Sequence, residues 1–376
     1  MAIFLTGVTG AIGGELLRSL LEARTDSVIY ALFRAKTVED VASGSLLVQS
    51  KVRREDVCRV IPIAGNVELE DFGLGNKYWE LTDVIREVYH VAACTSFGQT
   101  VEQARLTNVF GTENVIEFAR AVRTAGNPIR LHHISTAYVS GTRTGFVRED
   151  ELEEGQEFFN YYEWSKFEAE RAVQRASLDV PITVYRPGIV VGDSRTGHTS
   201  KFHGIYQVMK GIHFGLLDSL PCQPDFVLDL SPVDYVCRAI VQLASLIETV
   251  NKTFHLTAGP GNTVTLSDLI EIYFRERAAF AGTSDRSKSF KFSQPEEPRV
   301  AFTVDSSEIS TLFAHYSPYF SCPKVFDNKM TRAALRDLEC PRFSEYLPGA
   351  ISYALKVGFR PPSVKLPKSV AKLTFT

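Results

Sequence analysis

The chain has 376 residues, of which 44% are hydrophobic, and a formal net charge of -3 at pH 7. That length suffices for a large buried core in one or two domains. Charges of both signs interleave, so no nucleic-acid partner is predicted, and no apolar run reaches the about 18 residues of a transmembrane segment. The six cysteines and eight histidines lack ligand spacing, which predicts no metal, no disulfide framework and a cytoplasmic location. The lysine-rich tail at 364–376 is expected to be solvated, with peripheral membrane or partner contact as the alternative.

Strand-like and helix-like segments alternate over the first half of the chain. Apolar, β-branched runs predict strands at 2–7, 27–34, 58–66, 87–93, 130–140 and 181–192, and helical spacing predicts helices at 13–23, 107–122 and 162–176. Such alternation forms a parallel sheet covered on both faces, which binds ligands beyond the carboxyl ends of its strands. We therefore predict an α/β fold with a Rossmann-type doubly wound parallel sheet.

The alternation ends after Gly192, where glycine, histidine and apolar residues mix without a regular pattern. The remainder predicts a smaller, mainly helical C-terminal region that binds substrate or acts as a lid. We expect an NADP-binding domain over 1–192, to which 233–258 returns, and a lid region formed by 193–232 and 259–376.

Gly7, Gly10 and Gly13 are spaced three residues apart between the first predicted strand and the first predicted helix. Glycine permits a positive φ and leaves no Cβ in the way of a ligand, and a helix that begins near Ala11 directs free N–H groups at the turn. A pyrophosphate fits that description, and a plain packing turn is the alternative. The flanking strand and helix supply the context that a dinucleotide-binding turn requires.

The end of the second predicted strand indicates which cofactor binds. A carboxylate there would accept hydrogen bonds from the ribose hydroxyls of NAD, but the sequence has Arg34 followed by Lys36. A guanidinium suits bidentate contact with a 2′-phosphate, so we expect NADP(H). An ordinary solvated arginine at a strand end is the alternative.

Tyr162 and Lys166 lie four residues apart on a predicted helix and therefore share one face of it. The ammonium would lower the pKa of the phenol from about 10 toward neutrality, and such a phenol can exchange a proton while a hydride moves. Ser135 and Thr136 end a predicted strand, where this type of sheet places its chemistry, and Asn108 would orient the lysine or a water. The same spacing also occurs in surface pairs on ordinary helices.

Together these motifs resemble extended short-chain dehydrogenases/reductases. TGxxGxxG, HVAA, NVFGT, STAYVSG, YxxxK, YRPGIVVG and LSPVDYV occur in the order seen in that family. The residues of these motifs are most similar to those of the thioester reductase branch. That branch includes terminal reductase domains of peptide and polyketide synthetases, carboxylic acid reductases and fatty acyl-CoA reductases of the male-sterility type. The resemblance is good over 1–260 and loose beyond.

The resemblance implies a role for each matching residue. Thr136, Tyr162 and Lys166 would form the catalytic triad, with the phenol as proton donor. Besides Tyr162 and Lys166, the residues implied in NADP(H) binding are Thr6, Gly7, Thr9, Gly10, Ala11, Ile12, Gly13, Arg34, Asn66, Val67, Ala92, Asn108, Ser135, Pro187, Gly188 and Ile189. The sequence departs from the family at Asn66, where an aspartate is usual, and at Ile12, where an aromatic residue is usual.

The resemblance implies NADPH-dependent reduction of an acyl thioester to an aldehyde, which a second hydride would take on to the alcohol. An acyl or peptidyl carrier protein or CoA would present the acyl group. Lys201, His203 and Lys210 would meet a carrier phosphate or are merely polar lid residues. One alternative is another extended reductase, of ketones or aldehydes, or a nucleotide-sugar epimerase or dehydratase. The nucleotide-sugar enzymes are expected to have an acidic residue in place of Arg34. Another is a non-catalytic NADP-binding protein, although such proteins usually lose the tyrosine or the lysine.

Overall fold

The computed structural model describes residues 1–35, 37–220, 222–282, 290–292 and 316–360, so Lys36 and the tail at 364–376 lie outside the described residues. The strands are β1 (Ala2–Thr6), β2 (Val28–Phe33), β3 (Val60–Ala64), β4 (Ile85–His90), β5 (Arg130–Ile134), β6 (Gly145–Val147), β7 (Ile182–Pro187), β8 (Ile189–Val191), β9 (Ser219–Leu220), β10 (Val227–Leu228), β11 (Leu230–Pro232), β12 (Thr253–Leu256), β13 (Val264–Thr265), β14 (Lys291–Phe292) and β15 (Lys324–Phe326). The α-helices are α1 (Ala11–Ala23), α2 (Val38–Gln49), α3 (Asn76–Val84), α4 (Val101–Ala104), α5 (Gly111–Thr124), α6 (Tyr161–Ala176), α7 (Ile205–His213), α8 (Val233–Ala244), α9 (Leu266–Ala281), α10 (Lys329–Leu335) and α11 (Phe343–Lys356).

Seven of these strands form one parallel sheet in the order β12-β7-β5-β4-β1-β2-β3. The chain runs outward from β1 to β3, returns to β4 on the other side of β1, and continues outward to β12. The connections after β1 and β4 therefore leave in opposite directions, and this opens a crevice at the carboxyl ends of the two strands. The predicted Rossmann-type doubly wound fold is confirmed.

Two apolar layers cover the two faces of the sheet. Ile3 and Leu5 of β1 pack in the layer that contains the buried leucines of α1 and most of α8. Phe4, between them, packs in the opposite layer with residues of α5 and α6. Side chains alternate across a strand, so one short apolar run serves both layers.

A separate apolar cluster lies beyond the sheet and is built largely from α7, α9 and α11, with Met209, Leu269 and Ile351 in its interior. The predicted mainly helical C-terminal region is confirmed, while the division into domains stays a prediction. Contacts also run back to the sheet region, because β15 pairs with β6 and Leu335 packs in the layer of α1 and α8. No helix in the described part of the chain is both long enough and apolar enough to cross a membrane.

Candidate active site

The turn between β1 and α1 depends on the absence of side chains. Gly7 has a φ of +72°, and a Cβ there would lie 2.5 Å from the backbone nitrogen of Ala92. A Cβ on Gly13 would overlap the carbonyl oxygen of Gly7, and Gly10 closes the turn by donating its N–H to that oxygen over 2.9 Å. Helix α1 begins at Ala11, directly behind the turn, with its first N–H groups available to an anion. This bare cradle fits the pyrophosphate of a dinucleotide.

Thr6 lies beneath the turn and is fully buried. Its hydroxyl oxygen accepts hydrogen bonds from the backbone N–H groups of Val91 and Ala92 over 3.2 and 3.1 Å. The hydroxyl proton is then left for Nδ1 of His90, 2.9 Å away, while Nε2 of that ring lies 3.1 Å from the Thr112 hydroxyl. Burial lowers the pKa of His90 to about 3, so the ring is neutral, as this pattern requires. Thr6 therefore ties β1 to the end of β4 and supports the turn from behind.

Arg34 and Asn66 follow β2 and β3 and meet at a carboxylate that the sequence analysis missed. The guanidinium of Arg34 lies 3.3 Å from the Glu68 carboxylate. Asn66 donates to the same carboxylate over 3.2 Å, and the Thr107 hydroxyl donates over 2.6 Å. Glu68 lies in no recognised motif, and only the packing of the segment after β3 against the start of α5 brings it beneath the arginine. Lys36, which the sequence analysis paired with Arg34, lies outside the described residues.

Thr136 and Tyr162 face one cavity from the end of β5 and the start of α6. The hydroxyl oxygen of Thr136 accepts the backbone N–H of Tyr138 over 3.2 Å, which leaves its proton for the Tyr162 oxygen. Burial raises the pKa of Tyr162 to about 12, and the hydrogen bond from Thr136 acts in the opposite direction. The phenol is therefore protonated at neutral pH and can donate a hydrogen bond or a proton.

Lys166 lies one turn further along α6, with its ammonium turned toward the sheet. Its Nζ donates to the carbonyl oxygen of Ile134 over 2.7 Å, and the residue is 2% exposed. Burial lowers the pKa of Lys166 to about 8, and the charge of Glu170 acts in the opposite direction. The expectation that this ammonium brings the pKa of Tyr162 toward neutrality is wrong, because burial dominates at the phenol and the ammonium is held at the end of β5.

A buried ion pair holds α6 against the sheet. Arg186 of β7 and Glu170 of α6 are 1% and 0% exposed, and the guanidinium contacts the carboxylate over 2.5 and 2.9 Å. The hydroxyl of Ser135 donates to the second carboxylate oxygen over 2.6 Å. Ser135 precedes Thr136, so the pair fixes the strand end that carries the threonine hydroxyl.

Asn108 fixes the same helix from its other side. Its side-chain amide donates to the Ser165 hydroxyl over 2.8 Å and to the carbonyl of Cys94 over 3.1 Å, and its oxygen accepts the backbone N–H of Cys94 over 2.8 Å. Ser165 precedes Lys166 on α6. Asn108 therefore orients the helix that carries the lysine, whereas the sequence analysis expected a contact with the ammonium or a water.

The segment Pro187–Ile189 forms the next part of the cavity wall. A Cβ on Gly188 would lie only 3.0 Å from a carboxylate oxygen of Asp229, so there is little room for a side chain at this position. Asp229 accepts the backbone N–H groups of Ala258 and Gly259 over 2.7 and 3.1 Å. Burial raises the pKa of Asp229 to about 6.

An aromatic wall flanks Tyr162 on its open side. The Phe97 ring lies 6.0 Å from the Tyr162 ring and stacks 5.7 Å from Tyr319. The Tyr319 hydroxyl oxygen accepts the side-chain N–H of Asn160, the N-cap residue of α6, over 2.7 Å. The same hydroxyl donates a hydrogen bond to the buried carboxylate of Glu163. The sequence analysis missed Tyr319, because it lies more than a hundred residues after α6 in a segment without a motif.

A cavity of about 440 Å³ joins these parts. Of the site residues predicted from the sequence, those that line it are Gly7, Thr9, Gly10, Ala11, Ile12, Gly13, Arg34, Asn66, Val67, Ala92, Ser135, Thr136, Tyr162, Pro187, Gly188 and Ile189. The cavity lining does not include Thr6, Asn108 and Lys166. Their hydrogen bonds, described above, hold the segments that form it. Lys201 and His203 line the cavity after β8, whereas Lys210 is not part of its lining.

Cys322 also reaches the cavity. Its thiol donates to the carbonyl oxygens of Thr142 and Arg143 over 3.0 and 3.1 Å, and burial raises its pKa. The thiol is therefore held protonated. Across the described ranges, no three His, Cys, Asp or Glu side chains group as metal ligands.

One cavity at the carboxyl edge of the sheet contains both the glycine turn, which fits a dinucleotide, and the hydroxyl groups of Thr136 and Tyr162, which can donate a proton. This combination is that of an NAD(P)-dependent reductase on the extended Rossmann fold. Residues 5–240 match the NAD-binding family described as male sterility protein. The match covers more than half of the chain, which therefore belongs to that family.

Two curated proteins and one solved structure are similar to most of the chain. It is 32% identical over 357 residues to one of the proteins that make up the linear gramicidin synthase of Brevibacillus parabrevis, a match that covers 92% of this chain and 7% of that protein. It is 31% identical over 362 residues to the aldehyde reductase lnaA of Aspergillus flavus, which covers 89% of this chain and 33% of that protein. The chain thus spans a third or less of the length of these relatives. The terminal R domain from the myxalamid PKS-NRPS biosynthetic pathway is 28% identical, with a TM-score of 0.75 over 96% of this chain and 92% of that one.

Proposed function

We propose that this protein reduces an acyl thioester to an aldehyde with NADPH. The thioester, NADPH and one proton give the aldehyde, the free carrier thiol and NADP⁺. The observation that carries the proposal is that a protonated phenol and a threonine hydroxyl face the same cavity as the glycine cradle. The thioester is supported by relatives that are named as part of a linear gramicidin synthase and as the terminal R domain of a PKS-NRPS pathway.

The chain's own groups would act on the carbonyl oxygen of the thioester. Bound NADPH supplies the hydride for the carbonyl carbon. Tyr162 would donate a hydrogen bond to the oxygen as it gains negative charge, and Thr136 would turn its proton from the phenol oxygen to the same atom. Preorganised donors of this kind are usually the largest single contribution to lowering a barrier. Tyr162 would then pass its proton to that oxygen, because its pKa of about 12 makes it a donor at neutral pH. The hemithioacetal so formed would collapse to the aldehyde as its C–S bond breaks, its hydroxyl proton would return to the phenolate of Tyr162, and the departing thiolate would take up the one proton of the overall reaction.

NADPH is proposed over NADH because of Arg34. Its guanidinium lies in the cavity wall and is steadied by Glu68 at 3.3 Å. The side chain is still 51% exposed, which leaves donors for a 2′-phosphate. The glycine cradle would hold the pyrophosphate of the cofactor, and Arg34 would hold its 2′-phosphate.

The reaction requires no protein thiol. Cys322 is a cysteine that reaches the cavity lining, and burial raises its pKa, which disfavours the thiolate that a covalent route would need. All six cysteines are unpaired, which supports the proposed cytoplasmic location.

The acyl group would arrive on a phosphopantetheine arm, which an acyl or peptidyl carrier protein and CoA share. The similarity to part of a linear gramicidin synthase supports a carrier protein as the partner. The similarity to an aldehyde reductase supports a second candidate activity, the reduction of a free aldehyde to the alcohol.

The decisive experiment measures NADPH oxidation with acyl-carrier thioesters, acyl-CoA esters, free aldehydes and ketones in parallel. We expect turnover of thioesters, with an aldehyde or alcohol as product. Turnover of ketones or aldehydes without any thioester activity would overturn the proposal in favour of another extended reductase.

A matched pair of tyrosine variants tests the proton donor. Tyr162→Phe should lower kcat by about 10²–10⁴-fold, the usual contribution of a general acid, while the Kd for NADPH changes little. Tyr161→Phe is the control, because Tyr161 is the preceding residue on α6 and is 49% exposed. Equal kcat values for the two variants would exclude Tyr162 as the acid.

A further inference from the structure

Four aromatic rings lie together in the cavity wall next to Tyr162; we call Phe97, Tyr138, Tyr316 and Tyr319 the ring cluster, and all four line the cavity. The Phe97 ring lies between the others, with its centroid 6.0 Å from that of Tyr162. It is 5.2 Å from the Tyr316 ring and 5.7 Å from the Tyr319 ring. Tyr138 meets Tyr319 edge to face at 5.7 Å. The rings come from three separate segments of the chain, so only the fold brings them together.

The hydroxyl groups of two tyrosines hold their rings in place. The Tyr319 hydroxyl oxygen accepts the Asn160 side-chain N–H over 2.7 Å, and the hydroxyl donates to Glu163. The backbone N–H of Gly204, just before α7, donates to the Tyr316 oxygen. Each ring is therefore fixed at its polar end, and its apolar surface is what it offers to a guest in the cavity.

Tyr138 is fixed from two sides. The Lys324 ammonium lies over its ring, 5.7 Å from the centroid, and donates to the carbonyl oxygen of Gly141. The buried Phe326 ring meets it edge to face at 5.6 Å. Tyr138 also donates its backbone N–H to the Thr136 hydroxyl oxygen over 3.2 Å. The ring cluster is thus tied directly to a residue proposed to bind the carbonyl oxygen of the substrate.

The ring cluster leaves apolar surface open inside the cavity. Phe97, Tyr316 and Tyr319 are only partly buried, although each contacts another ring. Aliphatic surface is available in the same cavity from Ile205 and Val208 of α7, so burial of apolar area alone would serve a linear acyl chain. What the ring cluster adds is a set of fixed ring faces and edges beside the proton donor. Such surfaces favour another ring, in an offset-stacked or edge-to-face arrangement.

We propose that the ring cluster binds an aromatic ring of the acyl group, so that the preferred substrate carries such a ring a few bonds from its thioester carbonyl. This inference rests on the proposed thioester reduction. With the carbonyl oxygen at Tyr162, the first carbons of the acyl group lie beside Phe97, because the rings of these two residues adjoin at 6.0 Å. Fixed rings need no rearrangement to receive the guest, so little of the stacking energy is lost in ordering the site.

Three thioesters with the same number of acyl carbons separate ring stacking from apolar burial: 3-phenylpropanoyl, 3-cyclohexylpropanoyl and nonanoyl, each as the CoA ester and on a carrier protein. kcat/KM for the phenyl substrate should exceed that for the cyclohexyl substrate by about 2–10-fold, the range that ring contacts contribute beyond burial. The saturated ring has the same carbon skeleton and is at least as hydrophobic, so burial alone predicts equal values or the opposite order.

Phe97→Leu keeps apolar volume at the centre of the ring cluster and removes the ring. It should bring the phenyl-to-cyclohexyl ratio of kcat/KM close to one, chiefly by lowering kcat/KM for the phenyl substrate. Tyr316→Leu should lower the ratio by a smaller factor, because Phe97 then still contacts the substrate. Phe214→Leu is the matched control and should leave the ratio unchanged, because Phe214 is 52% exposed directly after α7 and is not part of the cavity lining.

A phenyl-to-cyclohexyl ratio at or below one in the unaltered protein would overturn the inference, since the cavity would then select acyl groups by apolar burial alone. An unchanged ratio in Phe97→Leu would also overturn it. In that case an equal loss for all three thioesters would make the ring a support of the cavity wall, and a raised Kd for NADPH would assign it to the cofactor. These results leave the proposed function standing, whereas absence of turnover with every thioester would refute the proposed function itself.

Discussion

Removing the charge of Glu170, which pairs with Arg186 in the interior, should lower the free energy of unfolding strongly. Glu170→Gln keeps the shape of the side chain and removes its charge. The guanidinium, 1% exposed and within 2.5 and 2.9 Å of the carboxylate, is then left without a counter-charge in the interior. The Ser135 hydroxyl, 2.6 Å from the same carboxylate, also loses its charged acceptor.

The size of the effect follows from the cost of a buried, unpaired charge. Removing one partner of a buried ion pair costs about 3–5 kcal/mol, a large part of the roughly 5–15 kcal/mol that stabilises a folded domain. A long chain loses about 2 °C in Tm for each kcal/mol, so Tm should fall by roughly 6–10 °C. The activity should fall as well, because Ser135 adjoins Thr136.

Urea unfolding followed by circular dichroism at neutral pH measures the change in the free energy of unfolding. The control is Asp179→Asn, which removes the charge from a surface pair with Arg120 at 2.8 Å, where the arginine and aspartate side chains are 40% and 50% exposed. Exposed pairs contribute about 1 kcal/mol or less. Equal destabilisation by the two substitutions would refute the argument that burial sets the cost.

Three further predictions concern the cofactor. Arg34→Ala should raise KM for NADPH by about 10–100-fold, the loss of a charged hydrogen bond, and change KM for NADH much less; equal losses for both cofactors in steady-state assays would contradict a 2′-phosphate contact. kcat/KM for NADPH should fall as the pH rises through about 8, because burial lowers the pKa of Lys166 to about 8 and the ammonium is lost above it. The phenol, with a pKa of about 12, stays protonated there. Lys166→Arg should flatten this pH profile, because a guanidinium stays charged across the range. A flat profile in the unaltered protein would exclude loss of the Lys166 charge as the cause of a fall in kcat/KM. Gly13→Ala should weaken NADPH binding in a fluorescence titration, because the new Cβ overlaps the Gly7 carbonyl, whereas Gly349→Ala, at an open helix position, should bind normally.

The local pattern of the sequence was sufficient to predict the bare glycine turn between β1 and α1. The three glycines, the strand before them and the helix after them are neighbours in the chain, so spacing alone places them together. The position of Thr136 was also predictable, because the carboxyl ends of parallel strands meet at one edge of the sheet. Tyr162 faces the same cavity from the start of α6.

The tertiary structure decided which distant groups meet these residues and what charge they carry. Glu68 lies beneath Arg34, and Tyr319 stacks beside Phe97, through packing between segments that no spacing rule relates. The pKa of Tyr162 rises although a lysine lies one turn away, because burial depends on everything packed around the phenol. Periodicity and turn chemistry are properties of neighbours along the chain, whereas desolvation and long-range hydrogen bonds exist only once the chain has folded.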